Sequence, residues 1–285
     1  MCNIWERNDR GELPIDILSQ LPRNLKHIDI TGGEPFLHSD IVGIVKALRS
    51  TCPKARLLIT TNGLAPALIE RQLSTLFSIA PQLAFRLSLD GIGAVHDQVR
   101  GVPGAFDSVM KSIKLIQTAG FTDVGVIFTL TNKNSDQLLE VYNYTRKNRL
   151  AFSLNFLHDS PVYFGEGHRG KIPTDVKKLV KSLVIKQLVS SNPQDWGKAL
   201  FNWSQLGYQR SHKRPIPCGA ANTLLYIDPS ADMYACHFKP WKLGNLHTQT
   251  FEEIWGSNER LKYCQQSRRC NDCWMMCTVK PGIRL

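Results

Sequence analysis

Eight cysteines carry most of the chemistry this sequence could perform: Cys2, Cys52, Cys218, Cys236, Cys264, Cys270, Cys273 and Cys277. Six of them fall between residue 218 and the end, four of these between 264 and 277. In a reducing compartment such a density reads as metal binding rather than as disulfides. The run Cys264-x5-Cys270-x2-Cys273-x3-Cys277 can gather thiolates at one centre, and Cys218 with Cys236 would add two more from a hairpin. Four thiolates suit either tetrahedral zinc or an iron–sulfur cluster, and spacing alone does not separate the two. A second chemistry lies near the start, where Gly32-Gly33-Glu34-Pro35 follows Ile28-Asp29-Ile30-Thr31. Glycines permit close backbone approach, and a carboxylate beside them pairs well with an amine.

The segments between these residues alternate strand and helix. Strands are expected at 26–31, 55–60, 83–89, 124–130 and 150–157. Helices are expected over 41–48 with Ser39 as cap, 67–77, 106–116 stopped by Gly120, and 138–142 with Ser135 as cap. Sequential β-α units form a parallel sheet with right-handed crossovers, and such sheets carry their chemistry at the C-terminal strand ends. Gly33-Glu34, Asn62-Gly63 and Ser88-x-Asp90 sit at those ends. His96-Asp97 could be an acid–base pair, although a positioning role at the mouth of the sheet is the better reading. Cys52, between a helix end and Pro53, reads as a free structural cysteine.

Composition sets the outer limits. The 285 residues are 42% hydrophobic and 21% charged, which suits a globular chain with a sizeable core. No apolar run reaches membrane-span length, and the first residues lack the apolar centre of a signal peptide, so a cytoplasmic protein is expected. The formal charge is +11, and residues 161–217 hold ten basic residues against three acidic ones. Their amphipathic helix, with Val176, Leu179, Val180, Leu183 and Val184 on one side, reads as a solvated bridge between two modules. A surface for an anionic substrate or an acidic partner is the alternative.

Taken together, these residues resemble the radical S-adenosylmethionine (SAM) superfamily, and the tail is similar to its twitch or SPASM auxiliary-cluster module. The resemblance implies a partial (β/α)6 TIM-like barrel over 1–160, a basic bridging region over 161–217 and a small Cys-rich α+β module over 218–285. In that family a CxxxCxxC loop holds a [4Fe–4S] cluster whose open iron chelates SAM. Met1-Cys2-Asn3-Ile4-Trp5 resembles the end of that loop, with Cys2 as its third cysteine. The first strand and the first two cysteines are missing, so further coding sequence is expected upstream and the chain as written is expected to be inactive.

By the same resemblance Gly32, Gly33, Glu34 and Pro35 receive the SAM ammonium. Asn62, Ser88 and Asp90 would lie around its polar groups, and Val126 and Ile127 would flank adenine. Leu224 to Pro229, Met233 to Cys236, Leu243 to Leu246 and Phe251 to Trp255 resemble the auxiliary module. Ala231-Asp232 stands where that module usually has glycine. One auxiliary [4Fe–4S] cluster is implied, on Cys218, Cys236, Cys270 and Cys273, with Cys264 or Cys277 able to stand in. The implied activity is reductive cleavage of SAM to a 5′-deoxyadenosyl radical that takes hydrogen from a peptide or small-molecule substrate. A flavodoxin- or ferredoxin-like reductant would supply the electron. The alternative is a catalytically inactive iron–sulfur binding or electron-transfer protein. A zinc-stabilised nucleic-acid binder is disfavoured, because the basic residues are not interleaved with aromatics in a binding motif.

Overall fold

The computed structural model describes residues 11–157 and 174–279, and of Thr174 and Cys277 the backbone alone. The described residues form two compact units, one of residues 21–157 and one joining 11–20 to 174–279. Among the described residues no helix is long and apolar enough to cross a membrane.

The first unit is a five-stranded sheet in sequence order: β1 (His27–Ile30), β2 (Arg56–Thr61), β3 (Ala84–Ser88), β4 (Val124–Leu130) and β5 (Ala151–Phe156). Every neighbouring pair is parallel. The crossovers are α1 (Ile41–Thr51), α2 (Pro66–Ile79), α3 (Ala94–Arg100), α4 (Ala105–Thr118) and α5 (Leu138–Lys147). The alternating pattern predicts the parallel sheet, and the α/β partial barrel is the one that the resemblance implies. Successive side chains of a strand point to opposite faces, and here the faces differ sharply. Phe85, Leu87, Val124, Val126, Phe128, Phe152 and Leu154 are buried on one. Arg86, Ser88, Ile127, Thr129, Ser153 and Asn155 share the other and are partly accessible.

Two expected caps are corrected. Asp40, not Ser39, caps α1, its Oδ1 accepting from the Gly43 amide at 2.7 Å. Ser135 opens a short 3-10 turn, and α5 begins only at Leu138. Helix α3 was not expected at all. Cys52 is buried and its thiol donates to the Pro22 carbonyl, as befits a structural cysteine.

The second unit pairs α6 (Thr174–Leu188) with α7 (Pro193–Ser211), then builds an antiparallel three-stranded sheet from β6 (Tyr226–Ile227), β7 (Asp232–Tyr234) and β8 (Lys242–Asn245). Helices α8 (Phe251–Gly256), α9 (Asn258–Arg269) and α10 (Met276–Val279) follow. Thr250 and Glu253 close a reciprocal capping box at the start of α8. Ala231, where glycine is usual, is buried at φ 62°, so the turn before β7 keeps the left-handed backbone that favours glycine. Helices α6 and α7 and residues 11–20 belong to the same compact unit as the cysteine-rich tail.

Candidate functional site

At the C-terminal end of β1 the chain turns through Gly32 and Gly33, both exposed, with open space where a Cβ would stand on either. Gly32 has φ 151°, a conformation L side chains rarely adopt. Glu34 follows, and its carboxylate is largely occupied. Oε1 accepts from the Thr61 hydroxyl at 2.7 Å and the Phe36 amide at 3.2 Å, and Oε2 accepts from the Asn62 amide at 2.7 Å. Burial raises the pKa of Glu34, with those three donors opposing the shift. A carboxylate offers about four lone-pair positions, so one on Oε2 is left for an external donor. Pro35 is buried and opens a 3-10 turn. Asn62 turns its side chain inward, Oδ1 accepting from the Leu64 amide at 2.8 Å. Gly63 has φ 72°, and a Cβ there would stand 3.0 Å from Leu87 and 3.2 Å from Val109. The Glu34 loop and the end of β2 are therefore one hydrogen-bonded unit. Its open backbone and spare acceptor fit the ammonium end of an amino acid such as SAM.

The end of β3 is arranged differently from expectation. Asp90 is fully buried. Its Oδ2 pairs with Arg100 at 2.6 Å and its Oδ1 accepts from the Thr129 amide at 2.7 Å. Its carbonyl accepts from Asn134 and its own amide donates to His96 Nδ1. This carboxylate is spent inside the protein, tying β3 to β4 and α3. Ser88 remains partly accessible on the same face as Ile127. Val126 and Ile127 are neighbours along β4 and face opposite ways, so they cannot line one ligand. Val126 is fully buried, and Ile127 alone is on the accessible face.

His96 and Asp97 do not form a dyad. Asp97 accepts from the Gly104 and Phe106 amides at 2.8 Å each, fixing the loop into α4. Burial, assisted by the charge of Arg100, lowers the pKa of His96 to about 4. At the opposite strand ends Asp123 bridges Arg56 and Arg86 at 2.6 and 2.8 Å.

In the second unit, Cys218, Cys236, Cys270 and Cys273 lie near enough for their charges to influence one another. Cys218 and Cys236 are buried with Ala220 and Phe238 against Trp241. The Cys236 thiol is raised by burial, with Cys218 and Cys270 adding to the rise. Burial likewise raises Cys270, and pushes Cys273 up to about 12, with Cys236 and Cys218 adding to the latter. Each of these three sulfurs also has donors. The Phe238 amide points at Cys236 Sγ at 3.3 Å, with the Lys239 amide beside it. The Asp272 amide serves Cys270. Arg214 Nη1 is 3.6 Å from Cys273 Sγ, with the Thr278 hydroxyl at 4.0 Å. Four thiols, three buried and Cys270 half-buried, with donors aimed at the sulfurs of Cys236, Cys270 and Cys273, fit a cationic cluster that holds them as thiolates. Among the described residues no three His, Cys, Asp or Glu side chains are placed to hold a single metal ion. A cubane, whose cysteines occupy separate corners, does not require that closeness. Cys264 is buried on α9, away from these mutual interactions. Cys2 and the Cys277 side chain lie outside the described residues.

Sequence reasoning passed over Thr61 as a partner of Glu34, and Arg214 and Lys239 beside the cysteines. Arg214 precedes Cys218 by four residues, but its type did not distinguish it from the many basic residues around it.

The radical SAM superfamily model matches residues 4–145, and the iron–sulfur cluster-binding SPASM domain matches 218–274. The chain belongs to the radical SAM superfamily and carries a C-terminal SPASM domain. It is 26% identical over 267 residues to mycofactocin maturase MftC of Mycolicibacterium smegmatis, covering 90% of this chain and 65% of that protein. It thus spans about two thirds of the length of that relative. Identity to the pre-heme d1 synthase of Dinoroseobacter shibae is 23%, over 79% of this chain and 60% of that one. Among solved structures, anSMEcpe with bound AdoMet superposes with a TM-score of 0.66 at 19% identity, covering 96% of this radical SAM chain and 81% of that one. SuiB of Streptococcus suis bound to S-adenosylmethionine gives 0.63 at 18% identity, covering 88% and 60%. At these identities the superpositions show a shared fold.

Proposed function

We propose that this radical SAM/SPASM protein binds SAM at the Gly32–Glu34 loop and one [4Fe–4S] cluster in its tail, as part of an enzyme that modifies a peptide. The observation that carries this is the four-thiol cluster in the tail, with hydrogen-bond donors aimed at three of its sulfurs. Cys218, Cys236, Cys270 and Cys273 would hold the auxiliary cluster. Gly32 and Gly33 would offer backbone to the SAM amino acid portion, and the free lone pair of Glu34 would take its ammonium. Ser88 and Ile127 are the accessible residues of the expected set for the rest of SAM. Asp90 ties the ends of β3 and β4 together rather than touching ligand.

When SAM bound to a reduced cluster is cleaved by one electron, it supplies a 5′-deoxyadenosyl radical able to take hydrogen from an unactivated C–H bond. The residues of this chain would bind and orient SAM along the partly accessible face of the sheet. A peptide substrate is favoured because MftC is named a maturase and a SuiB structure holds its precursor peptide. The exposed lysines of α6, Lys177, Lys178, Lys181 and Lys186, give a positive face to an acidic, flavodoxin- or ferredoxin-like reductant or to an anionic substrate. Reduced thiols in this number suit the cytoplasm.

A second reading, an iron–sulfur electron carrier that does not cleave SAM, is favoured by the internal use of Asp90 and most of Glu34. Equilibrium dialysis with labelled SAM, followed by chromatography for 5′-deoxyadenosine after dithionite addition, separates the two. Saturable SAM binding and product formation support the enzyme. A protein loaded with iron but indifferent to SAM supports the carrier.

A further inference from the structure

Arg214 lies just before the first cysteine of the tail and makes an unusual number of contacts for a half-buried arginine. Its Nη1 donates to the Cys273 carbonyl at 2.6 Å and approaches Cys273 Sγ at 3.6 Å and the Thr278 hydroxyl at 3.3 Å. Its Nη2 donates to the Thr278 carbonyl at 3.4 Å, and its Nε to the Ile216 carbonyl at 3.2 Å. The guanidinium lies 5.1 Å from the centroid of the Trp274 ring, and the Arg214 amide donates to Asn271 Oδ1 at 2.7 Å. No carboxylate neutralises it in this set of contacts. The other cation near the sulfurs, Lys239, is paired with Asp272, whose carboxylate also lies 3.6 Å from Cys270 Sγ. Among the described residues the positive charge on the Cys273 side is thus uncompensated, and that on the Cys270 side is cancelled.

We propose that Arg214 tunes the auxiliary cluster through Cys273, its uncompensated charge and N–H···S contact raising the cluster's reduction potential. The inference rests on the assignment of Cys218, Cys236, Cys270 and Cys273 as cluster ligands. Reduction adds one negative charge to the cluster and its thiolates. A fixed cation and a hydrogen bond to sulfur favour that reduced form, and both are recognised determinants of cluster potential. Trp274 stacks over the guanidinium and, by packing on Phe201 and Tyr208 of α7, keeps the group from swinging into water. A cation held in this partly desolvated place acts on the cluster more strongly than one on the surface. Arg214 is therefore a positioning and tuning residue, and it touches no substrate.

The test is an EPR-monitored redox titration of the anaerobically reconstituted full chain, comparing the native protein with Arg214→Gln, Arg214→Lys and a control, Lys262→Gln, at an exposed lysine already paired with Glu259. With Arg214→Gln the reduced-to-oxidised ratio at a fixed potential should fall about tenfold, equivalent to about 59 mV for one electron. Arg214→Lys keeps the charge without the fork and should fall by less, and Lys262→Gln should leave the ratio unchanged. If Arg214→Gln fails to load, Arg214→Lys carries the measurement, and its potential must still lie below the native value. Equal potentials in the native and Arg214 proteins would overturn the inference, leaving Arg214 a structural clamp seen only as lower thermal stability. A native chain that loads zinc and no iron would instead defeat the ligand assignment itself, a distinct outcome recognised before any potential is read.

Discussion

Glu34 shows how a single side chain can be read correctly in type and incompletely in role. The motif announces a carboxylate for an amine, whereas the structure shows the same carboxylate bracing β1 to β2 through Thr61 and Asn62. Glu34→Ala should therefore do two things. It should weaken SAM binding about tenfold, through loss of a charge-assisted partner. It should also lower unfolding stability by about 2 kcal/mol, because the Thr61 hydroxyl and two amides lose their acceptor. Denaturant titration beside equilibrium dialysis separates the effects, and unchanged stability would refute the bracing role. His96 gives a pH signature. Its folded-state pKa of about 4 lies below the ordinary value of 6.5, so the fold favours the neutral ring. That contribution is complete above about pH 6.5 and is lost as pH falls toward 4, where the loss amounts to about 3 kcal/mol. His96→Asn, which keeps an acceptor for the Asp90 amide, should flatten the stability profile between pH 6.5 and 4. An equally steep profile in the variant would show that another group titrates there.

Among the elements, the five strands were legible to within a residue or two, because each is a short apolar or alternating run closed by Gly, Asn or Asp. Helix α3 was not, being seven residues long between Gly93 and Gly101. Helix α7 was hidden for a different reason. Half of its buried residues are polar, Asp195, Asn202 and Gln205 among them, which blurs the hydrophobic period. Its ring partner Trp274 lies some seventy residues away, so no local pattern could reveal why Phe201 and Tyr208 are buried. The opposite faces of Val126 and Ile127 were, by contrast, available from strand alternation and needed only to be applied. The same strand contains Gly125, whose absent Cβ would stand 2.5 Å from the Ala151 carbonyl oxygen and 2.7 Å from the Ala151 Cβ. Because backbone of β5 must give way, Gly125→Ala should cost about 2 kcal/mol or more by overpacking. Thermal unfolding of the variant reads this directly, and a Tm equal to native would show that β4 and β5 can part without cost.

For the whole molecule, cysteine clustering and the Gly-Gly-Glu-Pro loop pointed to the two domains that the family models match. What sequence spacing could not separate was cluster from zinc, or which four of the tail cysteines act together. The effects of Cys218 on Cys236, Cys270 and Cys273, and of Cys236 on Cys273, narrow that choice, as do the amide and the guanidinium aimed at sulfur. The most direct measurement is iron and acid-labile sulfide per chain after anaerobic reconstitution, with the absorption spectrum, for the native protein and for Cys218→Ala/Cys236→Ala. The native chain should hold a tail [4Fe–4S] cluster, and the double variant should hold about four irons fewer. Undiminished iron in the double variant, or a native chain carrying stoichiometric zinc and no iron absorbance, would contradict the assignment.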